Sequence, residues 1–209
     1  MAVNELGSQK ENAIGRDRGL MLWTALEDAL AIIVTIAFGA VFLWCAISTV
    51  RFGRHWDEWK IIQGVQATIT SGVVLPAGYN WPSLTYLIAL FTSFANLPTV
   101  VEADSVAAAK GQLADIVGSP QFTYQLRAVF AVLTTLTGLF AILAARAIWT
   151  SWLAASISGA VVLSSFQVLY HSRWIAPDSL VMLACAMTLA AALRAARDQR
   201  PLPLLLAAV

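Results

Sequence analysis

Charge is what this sequence has least of. Lys, Arg, Asp and Glu make up 12% of its 209 residues, about half of the ~25% usual in a soluble domain. The net charge is +1, so no basic field invites nucleic acid. Cysteine is scarce as well. Cys45 and Cys185 both fall inside apolar runs and read as small buried side chains rather than as a disulfide or a metal site. There is no Walker A pattern and no Gly-x-Gly-x-x-Gly fingerprint, so no nucleotide cofactor is expected.

What fills the chain instead is apolar sequence, 59% of it. Four segments approach the ~20 mostly apolar residues that a spanning helix needs: roughly 28–50, 127–147, 151–171 and 177–196. Lipid offers no partner to an unpaired backbone group, so each segment must be a helix. Trp23, Trp44, Trp149, Trp152 and Trp174 stand near the segment ends, as an interfacial belt requires. Ser151, Ala155 and Gly159 recur every four residues, a stripe that lets a neighbouring helix approach closely. Residues 1–27 form a polar tail of mixed charge, assigned to the cytoplasm. Ala29–Val50 runs 22 residues without a charge, longer than the ~7–15 residue core of a cleaved signal peptide, so a retained anchor is expected. Residues 201–209 read as the start of a fifth span. The expected fold is an all-α integral membrane protein, a multi-span, multi-pass helical bundle in a bacterial inner (plasma) membrane.

Residues 83–97 decide the topology. They are apolar but short, and Pro98 closes them; such a run lies in the interface or re-enters more often than it crosses. The positive charges do not arbitrate. Without a crossing, Lys10, Arg16, Arg18, Arg146, Arg194, Arg197 and Arg200 lie inside, seven against the six outside, which is too even for the positive-inside rule. On length, residues 51–126 form one extracytoplasmic loop carrying amphipathic interfacial helices. Trp59, Ile62, Val65 and Ile69 make an apolar stripe suited to lying on the membrane. Asn80 is a fair N-cap for a second helix, with Pro82 in its first turn, and Gly118-Ser119-Pro120 is a turn.

Two charged clusters then share one membrane face. "RFGRHWDEWK" supplies Arg54, Asp57, Glu58 and Lys60, and "YHSRWIAPDSL" supplies His171, Arg173 and Asp178. Opposed carboxylates beside cations suit a site that binds phosphate through a divalent ion, one carboxylate serving as base. His171 is a further candidate ligand. Each group also has a plain reading. Asp57, Glu58 and Asp178 gain about 0.3–1 kcal/mol from a helix dipole simply by opening a helix, and Arg54 and Lys60 anchor an interface. The expected span interiors carry no charge, which argues against a transporter.

The order of these features resembles the N-terminal part of the GT-C membrane glycosyltransferases, in the branch of protein O-mannosyltransferases and lipid A aminoarabinose transferases. The matching elements are the anchor, Asp57-Glu58, "YNWPSLTYL" with Tyr79, Pro82, Leu84 and Tyr86, and the turn with Arg173, Pro177 and Asp178. Ser83 and Ala176 depart from the family pattern, and family members are much longer. The resemblance implies transfer of a sugar from a polyprenyl-phosphate carrier at the extracytoplasmic face. It makes Asp57 the catalytic carboxylate, with Glu58 and Asp178 in support. It further implies Arg54, Lys60 and Arg173 as candidate donor-phosphate ligands, and a divalent metal (Mg or Mn) on Asp57 and Asp178. Membrane lipids and other membrane subunits are the expected partners. The alternative is a non-catalytic GT-C-derived scaffold subunit, motivated by where the chain stops.

Overall fold

The computed structural model describes residues 2–51, 53, 58–74, 83–100 and 103–198, with side chains from residue 21 onward. Among the described residues it is all-helical, with no strand. Three helices are long and apolar enough to cross a membrane. They are α1 (Ala2–Ser48) over its stretch Met21–Ser48, α5 (Pro120–Ile148) and α8 (Pro177–Asp198). At ~1.5 Å per residue each exceeds a ~30 Å hydrocarbon core. Helix α1 is continuous through the segment read from sequence as a tail.

Helix α5 is the hub. It packs along α8, along α6 (Trp152–Leu163) and along α1, while α6 lies against both α1 and α5. Small residues set these crossings. A methyl group on Gly159 would lie 2.9 Å from the carbonyl of Gly138 and would strike Ile142, and one on Gly138 would lie 2.6 Å from Leu163 Cγ. The stripe seen in the sequence is therefore a contact surface: Ala155 is buried, and Ser151 caps α6 while donating to Glu27 on α1. Thr35 donates to Ser156 at 3.0 Å across the same pair of helices. The outward faces stay apolar. Ile33, Ile36, Val41 and Trp44 on α1 and Val181 and Leu189 on α8 are all exposed, a surface that water does not tolerate over this extent. Both cysteines share in it: Cys185 is exposed and Cys45 only half-buried, and both are free thiols, so neither is the buried side chain expected.

Between α1 and α5 lie three shorter helices, α2 (Glu58–Ser71), α3 (Leu84–Phe94) and α4 (Val106–Gly118). Ile62, Val65 and Ile69 of α2 are buried against Tyr86 and Leu90 of α3, Leu113 and Val117 of α4, and Phe122 and Leu126 of α5. The stripe expected to lie on the membrane is thus an internal seam, and only Trp59, 51% exposed, stands outside it. Its partners come from 17 (Ile69 to Tyr86) to 64 (Ile62 to Leu126) positions away in the chain, which a local periodicity does not reveal. Tyr86 ties the layer together: its hydroxyl donates to Val74 O at 2.9 Å and shares a hydrogen bond with Thr68. Gly118 leaves room for Gln66, whose amide donates to Ala114 O at 2.9 Å. Ser119 ends α4 and caps α5, accepting from Phe122 N–H.

Several boundaries differ from the sequence reading. Helix α5 begins at Pro120, not 127, because Ser119 and Pro120 make a good helix start although the first turns are polar. The expected span 151–171 is broken: α6 ends at Leu163, and a separate turn of helix, α7 (Phe166–His171), follows the pair Ser164-Ser165, a common kink site. Ser83, not Asn80, caps α3, accepting from Tyr86 N–H at 3.2 Å. Helix α3 has 11 residues, about 16 Å at ~1.5 Å per residue and too short to cross. Asn80, Pro82 and residues 201–209 lie outside the described residues.

Candidate functional site

The end of the bundle where α1 stops and α2 and α5 begin holds two charged groups of opposite character. The first is closed. Glu58 opens α2, and Arg127 stands two turns into α5. They form a bidentate pair: Arg127 Nε donates to Glu58 Oε1 at 2.8 Å and Nη2 to Oε2. Three further hydrogen bonds hold the pair. Ile175 N–H donates to Glu58 Oε1 at 3.0 Å, Arg127 Nη1 donates to Val50 O, and Nη2 donates to Gly53 O at 2.9 Å. Gly53 presents that carbonyl from φ +63°, a conformation that costs glycine little. The guanidinium carbon lies 4.8 Å from the centre of the Trp174 ring. Side-chain exposures of 1% and 4% put the pair where only complete hydrogen bonding makes two charges tolerable. This one pair joins α1, α2, α5 and the turn before α8, so the geometry makes Glu58 a strut.

The second group is open. The turn Ser172–Ala176 leads from α7 into α8, which starts at Pro177 with Asp178 in its first turn. Ser179 Oγ donates to His171 O at 3.0 Å and pins this turn. His171 Nδ1 stands 3.5 Å from Asp178 Oδ2, and the Asp178 side chain is 58% exposed. Arg173 differs sharply from Arg127. Its Nε is buried with no hydrogen-bond partner, and no ion pair is made by its guanidinium among the described residues. Phe166 stacks on Tyr170 at 5.9 Å, and Tyr170 meets His171 and Trp174 edge-on at 5.2 and 6.3 Å. An aromatic run thus leads from the exposed Phe166 to the Arg127 pair.

The contact between Ile175 and Glu58 brings the second charged segment against the first. Of the residues singled out in the sequence, Glu58, His171, Arg173 and Asp178 gather at this end, and Lys60 is exposed on the first turn of α2. Asp57, Arg54 and Tyr79 lie outside the described residues. A cavity of about 470 Å³ opens beside the strut, lined by Trp59, Gln63, Gln66, Thr123, Tyr124 and the pair itself; Arg51 lies 5.7 Å over the Tyr124 ring. For a metal, Glu58 is spent, and His171 with Asp178 supplies two donors. No group of three metal-ligating side chains occurs among the described residues. The sequence reading missed Arg127 as a site residue. The signal was there: between Pro120 and Arg146 it is the only charge in α5, and an isolated charge in an apolar helix needs a partner.

Comparison with protein-family models, with curated proteins and with solved structures gives no match to this chain.

Proposed function

We propose that the chain is a multi-pass membrane protein that handles a lipid-linked sugar phosphate, as a glycosyltransferase or part of one, at the end where α2, α5 and α8 begin. The observation that carries this reading is Arg173. A guanidinium with a buried, unpartnered Nε is costly to keep, and an anion supplied by a ligand removes that cost. A departing lipid phosphate is such an anion, and a preorganised cation stabilises it best where water is thin. In this mechanism the acceptor oxygen attacks the anomeric carbon as the bond from that carbon to the phosphate oxygen breaks. Asp57 takes the acceptor proton, and the lipid phosphate leaves toward Arg173. Asp178 orients the acceptor and is itself held near His171. Glu58 takes no direct part and keeps the two segments together. The aromatic run from Phe166 lies where a polyprenyl tail would enter.

The alternative is a non-catalytic scaffold, and one observation favours it: a carboxylate expected at the reaction centre is consumed by an internal ion pair. Transfer of a labelled hexose from a polyprenyl-phosphate donor, measured in nanodiscs, separates the two. The transferase reading expects transfer by the native chain and its loss in Asp57→Asn with insertion intact. Full turnover in Asp57→Asn removes that residue from the mechanism, and a native chain that neither binds nor turns over the donor supports the scaffold.

A further inference from the structure

At the opposite end of the bundle, two cavities share a wall. One, about 270 Å³, lies between the last turn of α5, the start of α6 and the last turns of α8, and Arg146, Arg194, Arg197 and Asp198 line it. The other, about 510 Å³, is an apolar groove between α1, α5 and α6, lined chiefly by Ile32, Ile36, Leu139 and Ile142. Leu143 and Trp152 belong to both. The groove is open to its surroundings, since Ile32, Ile36 and Leu139 are exposed.

Among the described residues, the polar pocket carries three guanidiniums against one carboxylate, Asp198, which stands 3.4 Å from Arg194. Glu27, the nearby acid of α1, is occupied by the Ser151 hydroxyl; Asp28 borders the groove rather than the arginines. Arg146 is fixed in place: Nη1 donates to Trp149 O at 2.8 Å, and its guanidinium carbon lies 4.8 Å from the centre of the Trp152 ring. Its Nε is buried and has no hydrogen-bond partner. Arg197 donates to Arg146 O at 2.8 Å and so closes the end of α5. A cationic pocket continuous with an apolar groove at a helix-bundle end matches one kind of molecule, an amphiphile with an anionic head and an acyl tail.

We propose that this end is a binding site for an anionic phospholipid. The phosphate is held by Arg146, Arg194 and Arg197, the glycerol region rests at Trp152 and Leu143, and one chain lies in the groove between α1, α5 and α6. This is independent of the reading proposed for the other end, because it shares no residue with it. The test is binding of phosphatidylglycerol to the detergent-solubilised full chain, followed by native mass spectrometry against phosphatidylcholine and inorganic phosphate. Phosphatidylglycerol is expected to bind selectively and to resist displacement by inorganic phosphate. Arg194→Gln, an exposed position, should weaken it about tenfold. Ile32→Trp, which fills the groove and leaves every arginine in place, should weaken it at least as much. Equal binding of phosphatidylcholine, displacement by inorganic phosphate, or unchanged binding in Ile32→Trp would each overturn the proposal.

Discussion

Arg127 and Arg173 sit at the same end of one helix bundle and live in opposite circumstances. Arg127 is held by Glu58, two backbone carbonyls and the face of Trp174. Arg173, one residue before that tryptophan, has a buried Nε with nothing to donate to. A fold that needed only stability would satisfy both, because an unmet buried donor costs about 1–3 kcal/mol and more when charged. On the function proposed above, the difference separates a residue that builds the fold from one held ready for a ligand. Glu58, the described member of the acidic pair, belongs to the first class; on that same proposal, Asp57 and Asp178 are the carboxylates left for the chemistry.

The strongest way to break this comparison is to unpair the closed region. Arg127→Ala takes from the buried Glu58 its bidentate partner, and should cost about 3–5 kcal/mol, seen as a large fall in the thermal midpoint in detergent. Combining Arg127→Met with Glu58→Leu should recover most of that loss, because well-packed apolar residues often replace a buried pair without penalty. A double variant as unstable as the single one would mean that the pair does more than hold segments together.

A second perturbation asks whether damage elsewhere in the bundle imitates this one. Gly159→Val forces a side chain into Ile142 and the Gly138 carbonyl, which should cost about 1–3 kcal/mol by overpacking and separate α6 from α5. Disulfide trapping between cysteines placed on those two helices checks it directly. A smaller effect is expected at Tyr86→Phe. Loss of its hydrogen bonds to Val74 and Thr68 should cost about 1 kcal/mol and loosen α3 from α2, read by faster amide exchange in those helices.

The long helices were legible in the sequence because apolar length is a strong local signal. So were the Gly118-Ser119-Pro120 boundary and the small-residue stripe at Ser151, Ala155 and Gly159, whose chemistry acts over a few residues. The start of α5 was not, because Gln121, Thr123 and Gln125 dilute the apolar pattern through its first turns. The break after Leu163 was hidden inside a run apolar on both sides, with only the two serines to mark it. The orientation of α2 depends on α3, α4 and α5, and no local pattern names such partners. At the site, His171, Arg173 and Asp178 could be placed together from their neighbourhood in sequence. The match between Glu58 and Arg127 spans 69 positions and had to come from the folded chain.

Arg173→Gln separates the two arginines most directly. Stability should not fall, because the native side chain has no partner to lose and its unmet buried donor carries a cost of about 1–3 kcal/mol. Affinity for a polyprenyl phosphate in nanodiscs should fall by at least about tenfold, the worth of one charge-assisted hydrogen bond. A variant that binds the lipid phosphate as tightly as the native chain, or that unfolds as readily as Arg127→Ala, would contradict the division between the two arginines.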